Sequence, residues 1–399
     1  LFYDHWQQCS IEMNTLQHLL ELRRGLATRI IVAQTLFLAL IWFGTVDYTG
    51  TYAGADLAQY RKMATAAPSF DPSVPAPFAY RVAVPFMVGV LFPQNNISGF
   101  QLLHLVLVLA LAIQFFRVLR VYGAQDAYAL VAVSLMVWNP YLGGFLMFNP
   151  FQAGDTLAYL LLLVALEALH KRSVVLFGVA LLASATVRET PLLIIPAAAF
   201  ALRKDTRAQL KFMAAAIPAI AMYVLLRVII PISNPQWSMA SLPVDYAPEL
   251  LSPVRWGRML LNSFAPLSLL FGVIFYTHRR ELREHAAELL LVLGLAAASF
   301  TGADTERLFS PAMLILLIVV RPYLERYLSS SRFRAVLVVC VVACSYHFIY
   351  ARYGPMIPKL LYYATALACT MIVGWMGLQL ELRAQREQPL QGAQPGPLQ

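Results

Sequence analysis

The chain has 399 residues, of which 59% are hydrophobic and only 13% are charged, and its formal net charge is +9. A soluble domain carries roughly 45–50% apolar and about 25% charged residues, so this composition excludes an ordinary soluble protein. The basic residues are scattered through short segments, which indicates membrane orientation rather than nucleic-acid binding. We therefore expect a polytopic membrane protein built from helices, because lipid offers free backbone groups no other partner.

Apolar stretches of about 20 residues, the length that crosses a bilayer, recur along the chain. We predict an all-α fold with about eleven to thirteen transmembrane helices. The stretches that fit best are 28–46, 99–118, 126–148, 156–170, 173–187, 191–202, 209–232, 256–277, 286–301, 308–321, 334–350 and 358–379.

The same pattern divides the chain into three parts. Residues 1–27 are predicted to be a cytoplasmic segment of mixed charge without a removable signal peptide. Residues 28–380 form the predicted membrane domain. Residues 381–399, rich in Gln, Pro and Gly, are predicted to be a disordered cytoplasmic tail.

Basic residues in short connections favour the cytoplasmic side of a membrane. The arginines of segment 23–29 place the N-terminal side of the first span in the cytoplasm. The later basic connections agree with this only if the apolar stretch 82–93 does not cross the bilayer. That stretch is short and contains two prolines, so we predict a re-entrant or interfacial helix within a long first outer loop, 47–98. A tilted short span is the alternative.

With this threading, many charged residues gather on the side away from the cytoplasm. Charges near helix ends are costly in lipid unless they are paired or hydrated, so their recurrence on one face favours a functional cavity. The residues concerned are Asp47, Asp56, Asp71, Arg81, Asp155, Arg188, Glu189, Asp304, Glu306 and Arg307. Two further arginines lie at the end of the predicted outer segment 233–255 and shortly after it, Arg255 and Arg258.

Several of these residues also have a purely structural interpretation. Asp155 can stabilise the N-terminus of the helix that follows it. Arg188 with its neighbour Glu189 can form an ordinary surface pair. The same holds for Arg307 with the nearby acidic residues Asp304 and Glu306.

The segment 55–66 has helical spacing that puts Asp56 and Tyr60 on one face, at positions i and i+4. Asp56 can complement the positive end of the helix dipole. Alternatively, it can act as a carboxylate that takes a proton from an acceptor nucleophile.

We expect neither a metal ion nor another cofactor. Cys340 and Cys344 are four residues apart on one helix face and could bind a metal ion. However, His347 is the only other potential metal ligand nearby in the sequence, and a zinc site needs about four ligands. Three of the four cysteines lie within predicted spans, so a disulfide framework is not expected. The sequence contains no glycine-rich phosphate loop, which argues against a cytosolic nucleotide-sugar donor.

The order of these motifs resembles a known superfamily. Asp56 lies four residues before Tyr60, and Met63-Ala64, a proline-containing stretch and an interfacial helix follow, all after the first span. This arrangement resembles the first outer loop of the GT-C superfamily of integral membrane glycosyltransferases. The segment 77–86, PFAYRVAVPF, is similar to a segment of uncharacterised bacterial members. Further stretches that resemble outer connections of the superfamily are 148–169, 184–196 and 301–316.

The resemblance implies transfer of a sugar from a polyprenyl-phosphate donor at the periplasmic face of a bacterial inner membrane. It makes Asp56 the general base, with Asp47 and Asp71 as alternatives, because the doubled acid frequent in the superfamily is absent here. It assigns the donor phosphate to Arg81, Arg188 and Arg307. Supporting residues are Tyr60, Asp155, Glu189, Asp304 and Glu306. Both chain ends would be cytoplasmic.

The expected partners are membrane lipids, the polyprenyl-phosphate sugar and a glycan, lipid or protein acceptor, and no nucleic acid. A multi-pass transporter or flippase of lipid-linked or small polar substrates is the main alternative, but its charges would line a path near mid-span. A membrane acyltransferase would show an intramembrane histidine pair, whereas His104, His170 and His347 are scattered. A catalytically inactive scaffold of GT-C type is a further alternative.

Overall fold

The computed structural model describes residues 25–37, 56–145, 149–230, 252–300, 305–345 and 359–391. Regular structure in these ranges is entirely helical, which confirms the predicted all-α class. The helices of the N-terminal half are α1 (Gly25–Phe37), α2 (Asp56–Ala66), α3 (Ala83–Leu91), α4 (Asn96–Val121), α5 (Asp126–Val137), α6 (Ala153–His170), α7 (Val174–Val187), α8 (Ile194–Ala201) and α9 (Thr206–Ile229).

The helices of the C-terminal half are α10 (Pro253–Phe264), α11 (Ser268–Thr277), α12 (Ala286–Ser299), α13 (Thr305–Phe309), α14 (Ala312–Val319), α15 (Arg321–Tyr327), α16 (Ser331–Cys344) and α17 (Lys359–Gln391). Short 3₁₀ turns at Phe78–Tyr80, Pro150–Gln152, Thr190–Leu193 and Glu281–His285 join some of them, and a π-helical turn at Pro140–Phe145 follows α5.

Four helices of the described part are long and apolar enough to cross a bilayer: α4, α6, α9 and the Leu361–Arg386 part of α17. Two further pairs pass the same test only when joined, α10 with α11 and Arg307–Val319 with α15, and they bend by 97° and 72°. By length and composition the described residues therefore contain four spans, or up to six. This confirms a multi-pass helical membrane protein, and the larger predicted number of spans stays a prediction.

The continuous helix predicted over 256–277 is broken in the structure. Helix α10 ends at Phe264, and Ala265 has an extended backbone with φ −56° and ψ 136°. Pro266 follows it, and a proline has no N–H to donate and disfavours a helical conformation of the residue before it. A hydropathy pattern averages over such a residue, so it predicts one span where the chain turns.

The membrane domain has a tightly packed centre. Helix α7 packs between α6 and α9, and α4 packs along α6. The rings of Phe177 and Phe212 meet with centroids 5.0 Å apart in this layer. Helix α17 packs against α11 and α16 and completes the other side of the domain. Cys340, Cys344 and Cys369 are buried there as free thiols.

Helix α17 extends beyond the predicted span. It continues to Gln391, past residue 380, at which the predicted membrane domain ends. The disordered cytoplasmic tail stays a prediction. Polar side chains surround the carboxylate of Glu381 in this part of the helix. Its Oε2 lies 3.1 Å from His278 Nε2, and its Oε1 contacts Arg326.

The described part of the predicted first outer loop, residues 56–98, forms a small layer of its own. Helices at 56–66 and 83–91 confirm the predicted helical spacing of this loop. Helix α3 has nine residues, about 14 Å of helix, which is too short for a hydrocarbon core of about 30 Å. Apolar side chains join α2 and α3 to the start of α4 and to the 3₁₀ turn before α6: Leu57, Tyr60, Met63, Val88, Phe100 and Phe151.

The close contact between α2 and α3 depends on Gly89. A Cβ atom at this position would collide with the carbonyl oxygen of Ala64 and would lie 2.8 Å from the Cβ of Ala67. We predict that Gly89→Ala lowers the free energy of unfolding by roughly 1–3 kcal/mol, the usual cost of overpacking. Thermal unfolding of the detergent-purified protein measures this.

Gly257→Ala is the matched control, because nothing lies within 4 Å of a Cβ placed at that position of α10. This control variant should unfold at the same temperature as the parent protein or slightly above it, since alanine favours helix more than glycine does. Equal melting temperatures for the two variants would contradict the close packing of α2 against α3.

The orientation can be tested by cysteine labelling. We predict that a cysteine at the exposed position Ser73, in the outer loop, reacts with a membrane-impermeant thiol reagent in intact cells. A cysteine at the exposed position Ser329, in a predicted cytoplasmic connection, should react only after permeabilisation. The parent for both variants lacks the four native cysteines. Labelling of both positions in intact cells would disprove the predicted sidedness.

Candidate functional site

A buried carboxylate lies between two guanidinium groups where α6 begins. Asp155 belongs to the first turn of α6, and its side chain is 2% exposed. Its Oδ1 contacts Nη1 of Arg188, the residue directly after α7. Its Oδ2 lies 3.6 Å from Nε of Arg307 on α13. One acidic side chain therefore joins two basic residues from different parts of the chain.

Helix α6 also positions the backbone of Arg307. Tyr159, four residues after Asp155 and thus on the same helix face, donates its hydroxyl to the Arg307 carbonyl oxygen at 3.1 Å. The hydroxyl of Ser310 donates to the same oxygen at 2.8 Å. Arg307 is thus held through both its side chain and its main chain.

Arg81 connects the outer loop to this network. Its Nη2 lies 3.4 Å from Oε1 of Glu189, and its Nη1 donates to the hydroxyl oxygen of Tyr60 at 3.5 Å. The Tyr60 ring meets the edge of Phe78 with centroids 5.6 Å apart. Tyr60 lies on α2 and Glu189 lies in the connection after α7, so Arg81 joins two layers of the fold.

The five charged side chains become more exposed from the interior outwards. The exposed fraction is 2% for Asp155, 5% for Arg188, 11% for Arg307, 12% for Arg81 and 34% for Glu189. A narrow cleft opens beside the outer members of this group. Its walls are formed by Tyr60, Arg81, Val84, Pro85, Phe151, Gly154 and Val187. We call the five charged residues Asp155, Arg188, Arg307, Arg81 and Glu189 the arginine cluster.

Glu189 stays ionised at neutral pH. Burial raises the pKa of this carboxyl, but the positive charges of Arg81 and Arg188 lower it by more, so the pKa lies below its ordinary value. The arginine cluster therefore combines three cationic groups with two anionic ones. Such a set of fixed charges in a poorly hydrated place is suited to stabilising additional negative charge.

Six of the residues predicted from the sequence meet in this site. They are Tyr60, Arg81, Asp155, Arg188, Glu189 and Arg307. An ordinary surface pair between the sequence neighbours Arg188 and Glu189 was the structural alternative. In the structure, Arg188 contacts Asp155 and Glu189 contacts Arg81. Asp155 likewise pairs with two arginines, beyond any interaction with its own helix end.

Asp71 lies apart from the cluster. Its Oδ1 accepts a hydrogen bond from the Ser73 backbone N–H at 2.8 Å, and this bond lowers the pKa of the Asp71 carboxyl. The residue lines a surface groove beside the exposed face of α2, together with Arg61 and Lys62. Its contacts are those of a turn-forming residue.

The remaining predicted residues lie at or beyond the limits of the described structure. Asp56 is the first residue of α2, and Glu306 belongs to α13, but the described side chains include neither. Asp47 and Asp304 lie outside the described residues. Arg255 and Arg258 lie on α10, the first half-buried and the second exposed.

The sequence analysis missed one arginine near the cluster. Arg227, close to the end of α9, places its guanidinium carbon 3.3 Å from the ring centroid of Tyr223 and 4.7 Å from that of Tyr80. Only charges in predicted connections were considered, and Arg227 falls within the predicted span 209–232. The available signal was its position four residues after Tyr223, which places both on one helix face.

The described residues contain no group of three or more His, Cys, Asp or Glu side chains arranged to hold a metal ion. Metal-independent chemistry stays a prediction. Comparisons with protein-family models, curated proteins and solved structures find no match for this chain. The interpretation of the site therefore depends on its own chemistry.

We predict that Asp155→Asn destabilises the protein strongly, because it leaves two buried guanidinium groups without their shared anion. Removal of one partner of a buried ion pair costs about 3–5 kcal/mol. Thermal unfolding in detergent measures the loss.

Asp126→Asn is the matched control, since the Asp126 Oδ1 lies 2.8 Å from Arg120 Nε and both side chains are partly exposed. Removal of this pair should cost less than about 1 kcal/mol. Similar small losses for both variants would show that the Asp155 contacts contribute little to stability.

Proposed function

We propose that the protein is a membrane glycosyltransferase of GT-C type with about eleven to thirteen transmembrane helices. It transfers a sugar from a polyprenyl-phosphate donor to an acceptor at the outer face of a bacterial inner membrane. The observation that supports this proposal is the convergence of Arg81, Arg188 and Arg307 at one end of the spanning helices. This convergence lies next to the outer-loop helix that begins at Asp56.

The arginine cluster is chemically suited to binding the phosphate of the donor. When the bond between the sugar and the phosphate breaks, the polyprenyl phosphate leaves with increased negative charge. Guanidinium groups bind phosphate oxygens through two parallel N–H donors, which is why arginine suits this task better than lysine. Asp155 and Glu189 hold these groups in place before the reaction, so little reorganisation is needed when the charge develops.

Asp56 is the proposed general base. It takes the proton of the acceptor hydroxyl while the hydroxyl oxygen forms a bond to the anomeric carbon. The bond from that carbon to the phosphate oxygen breaks, and its electron pair leaves with the polyprenyl phosphate. The position of Asp56 supports the assignment, because the residue starts the helix whose Tyr60 contacts Arg81.

We predict that Asp56→Asn lowers sugar transfer by about 100-fold or more, since general-base catalysis contributes a factor of about 10²–10⁴. The assay uses the purified protein in liposomes and a panel of radiolabelled polyprenyl-phosphate sugars with glycan, lipid and peptide acceptors. Asp71→Asn is the control, because Asp71 lies outside the arginine cluster and forms a local turn. It should retain normal transfer.

The same assay separates the alternatives. Full transfer by Asp56→Asn would remove Asp56 as the base, and a selective loss in Asp71→Asn would transfer the role to that residue. Movement of an intact lipid-linked sugar across the liposome bilayer without transfer would favour a flippase. An inactive scaffold would show neither transfer nor movement with any donor in the panel.

A further inference from the structure

Arg227 is half-buried, like Tyr223 and Leu226, and it borders the side of α9 that carries exposed apolar residues. On that neighbouring side Val224 is 52% exposed, Val228 76% and Ile229 59%. A cationic side chain among such residues is costly in a bilayer unless it is paired or has a functional partner. The position of Arg227 therefore requires an explanation.

Two tyrosines flank the guanidinium group. Its central carbon lies 3.3 Å from the Tyr223 ring centroid and 4.7 Å from the Tyr80 ring centroid. Its Nη1 donates to the Tyr223 carbonyl oxygen at 3.1 Å. Aromatic rings stabilise a cation without neutralising its charge. The two rings therefore flank the guanidinium group without forming an ion pair with it.

The guanidinium group of Arg227 retains a nitrogen without a hydrogen-bond partner in the described residues. Within the described residues no carboxylate lies at ion-pair distance from Arg227, and its buried Nε has no hydrogen-bond partner there. The nitrogen atoms of a guanidinium group point outwards in its plane. An anion with several oxygen atoms in one small group, such as a phosphate, fits this arrangement.

Arg227 is also close to the arginine cluster. Tyr80 directly precedes Arg81 in the chain, and the charge of Arg227 contributes to the lowered pKa of Glu189. A sequence of cationic groups therefore leads from the edge of the exposed apolar side of α9, through Arg227 and Arg81, to the buried Arg188. Because a phosphate carried by a lipid approaches from the bilayer, it would meet Arg227 first.

We propose that Arg227, held between Tyr80 and Tyr223, binds the phosphate group of a membrane lipid at the lipid-facing entrance to the arginine cluster. The identification of this lipid with the sugar donor or its polyprenyl-phosphate product rests on the proposed function. The binding site itself rests on the position and the donors of Arg227. The two sources of lipid phosphate are a polyprenyl monophosphate and an ordinary phospholipid headgroup.

The test measures binding to purified protein by native mass spectrometry with three separate probes. The probes are a polyprenyl monophosphate, phosphatidylglycerol and inorganic phosphate. We expect Arg227→Ala to weaken binding of the polyprenyl monophosphate about ten-fold, the effect of losing one charge-assisted interaction. Arg227→Gln serves as a second variant that keeps most of the side chain, and it should show the same loss.

Arg203→Ala is the matched control. The guanidinium carbon of Arg203 lies 3.9 Å from the ring centroid of Phe200, and its Nη1 donates to the Phe200 carbonyl oxygen at 2.9 Å. This residue repeats the local geometry of Arg227 in a connection predicted to be cytoplasmic. Its replacement should leave binding of all three probes unchanged, and thermal unfolding verifies that each variant is folded.

Each outcome has a defined meaning. Loss of polyprenyl monophosphate binding alone identifies a carrier-selective site, and an equal loss for phosphatidylglycerol identifies a general site for lipid phosphates; both support the proposal. Unchanged lipid binding in folded Arg227→Ala and Arg227→Gln would overturn it. An equal loss of inorganic phosphate binding would also overturn it, because the site would then bind soluble anions.

This readout does not require turnover. A protein that transfers no sugar but loses lipid phosphate binding in Arg227→Ala would refute the proposed function and keep the site. A protein that transfers sugar with unchanged lipid binding in the variant would keep the function and refute the site.

Discussion

The carboxylate of Asp155 is the interaction on which the site depends. It lies almost completely buried between Arg188 and Arg307, which come from two separate parts of the chain. Without this anion the two guanidinium groups would repel each other in a poorly hydrated interior. Its position in the first turn of α6 also places it at the positive end of a helix dipole, where negative charge is favoured. The first turn of α6 is therefore joined through Asp155 to the end of α7 and to α13.

Further polar contacts lie outside the group formed by Asp155, Arg188 and Arg307. Arg81 reaches from the outer loop to Glu189, and Tyr60 on α2 contacts the same guanidinium group. These contacts have a geometric requirement, because α2 and α3 must pack closely enough to bring Tyr60 and Arg81 together. Gly89 makes that approach possible by presenting no side chain to α2. The close packing of α2 against α3 at Gly89 is therefore also what brings Tyr60 to Arg81.

Breaks in the helices also bring charged side chains to the site. Helix α7 ends at Val187, so the two charged residues that follow leave the regular helix and face α6 and the outer loop. The short α13 stands apart from α14, and its Arg307 reaches Asp155. Polar groups in a membrane domain are tolerated where such irregular backbone is enclosed by protein. The same irregularity supplies charged side chains from several directions to one small volume.

The sequence by itself determined the all-α membrane character, the helices around 56–66 and 83–91, and the five residues of the arginine cluster together with Tyr60. These properties depend on composition, hydropathy and the presence of charge near helix ends, which are local. Only the tertiary structure decided that Arg188 pairs with Asp155 instead of Glu189, that Asp71 lies apart, and that Arg227 adjoins the cluster. It also decided that the apolar stretch 256–277 turns at Pro266. Pairing and direction depend on how helices far apart in the chain are rotated and packed, and a hydropathy pattern contains no information about that rotation.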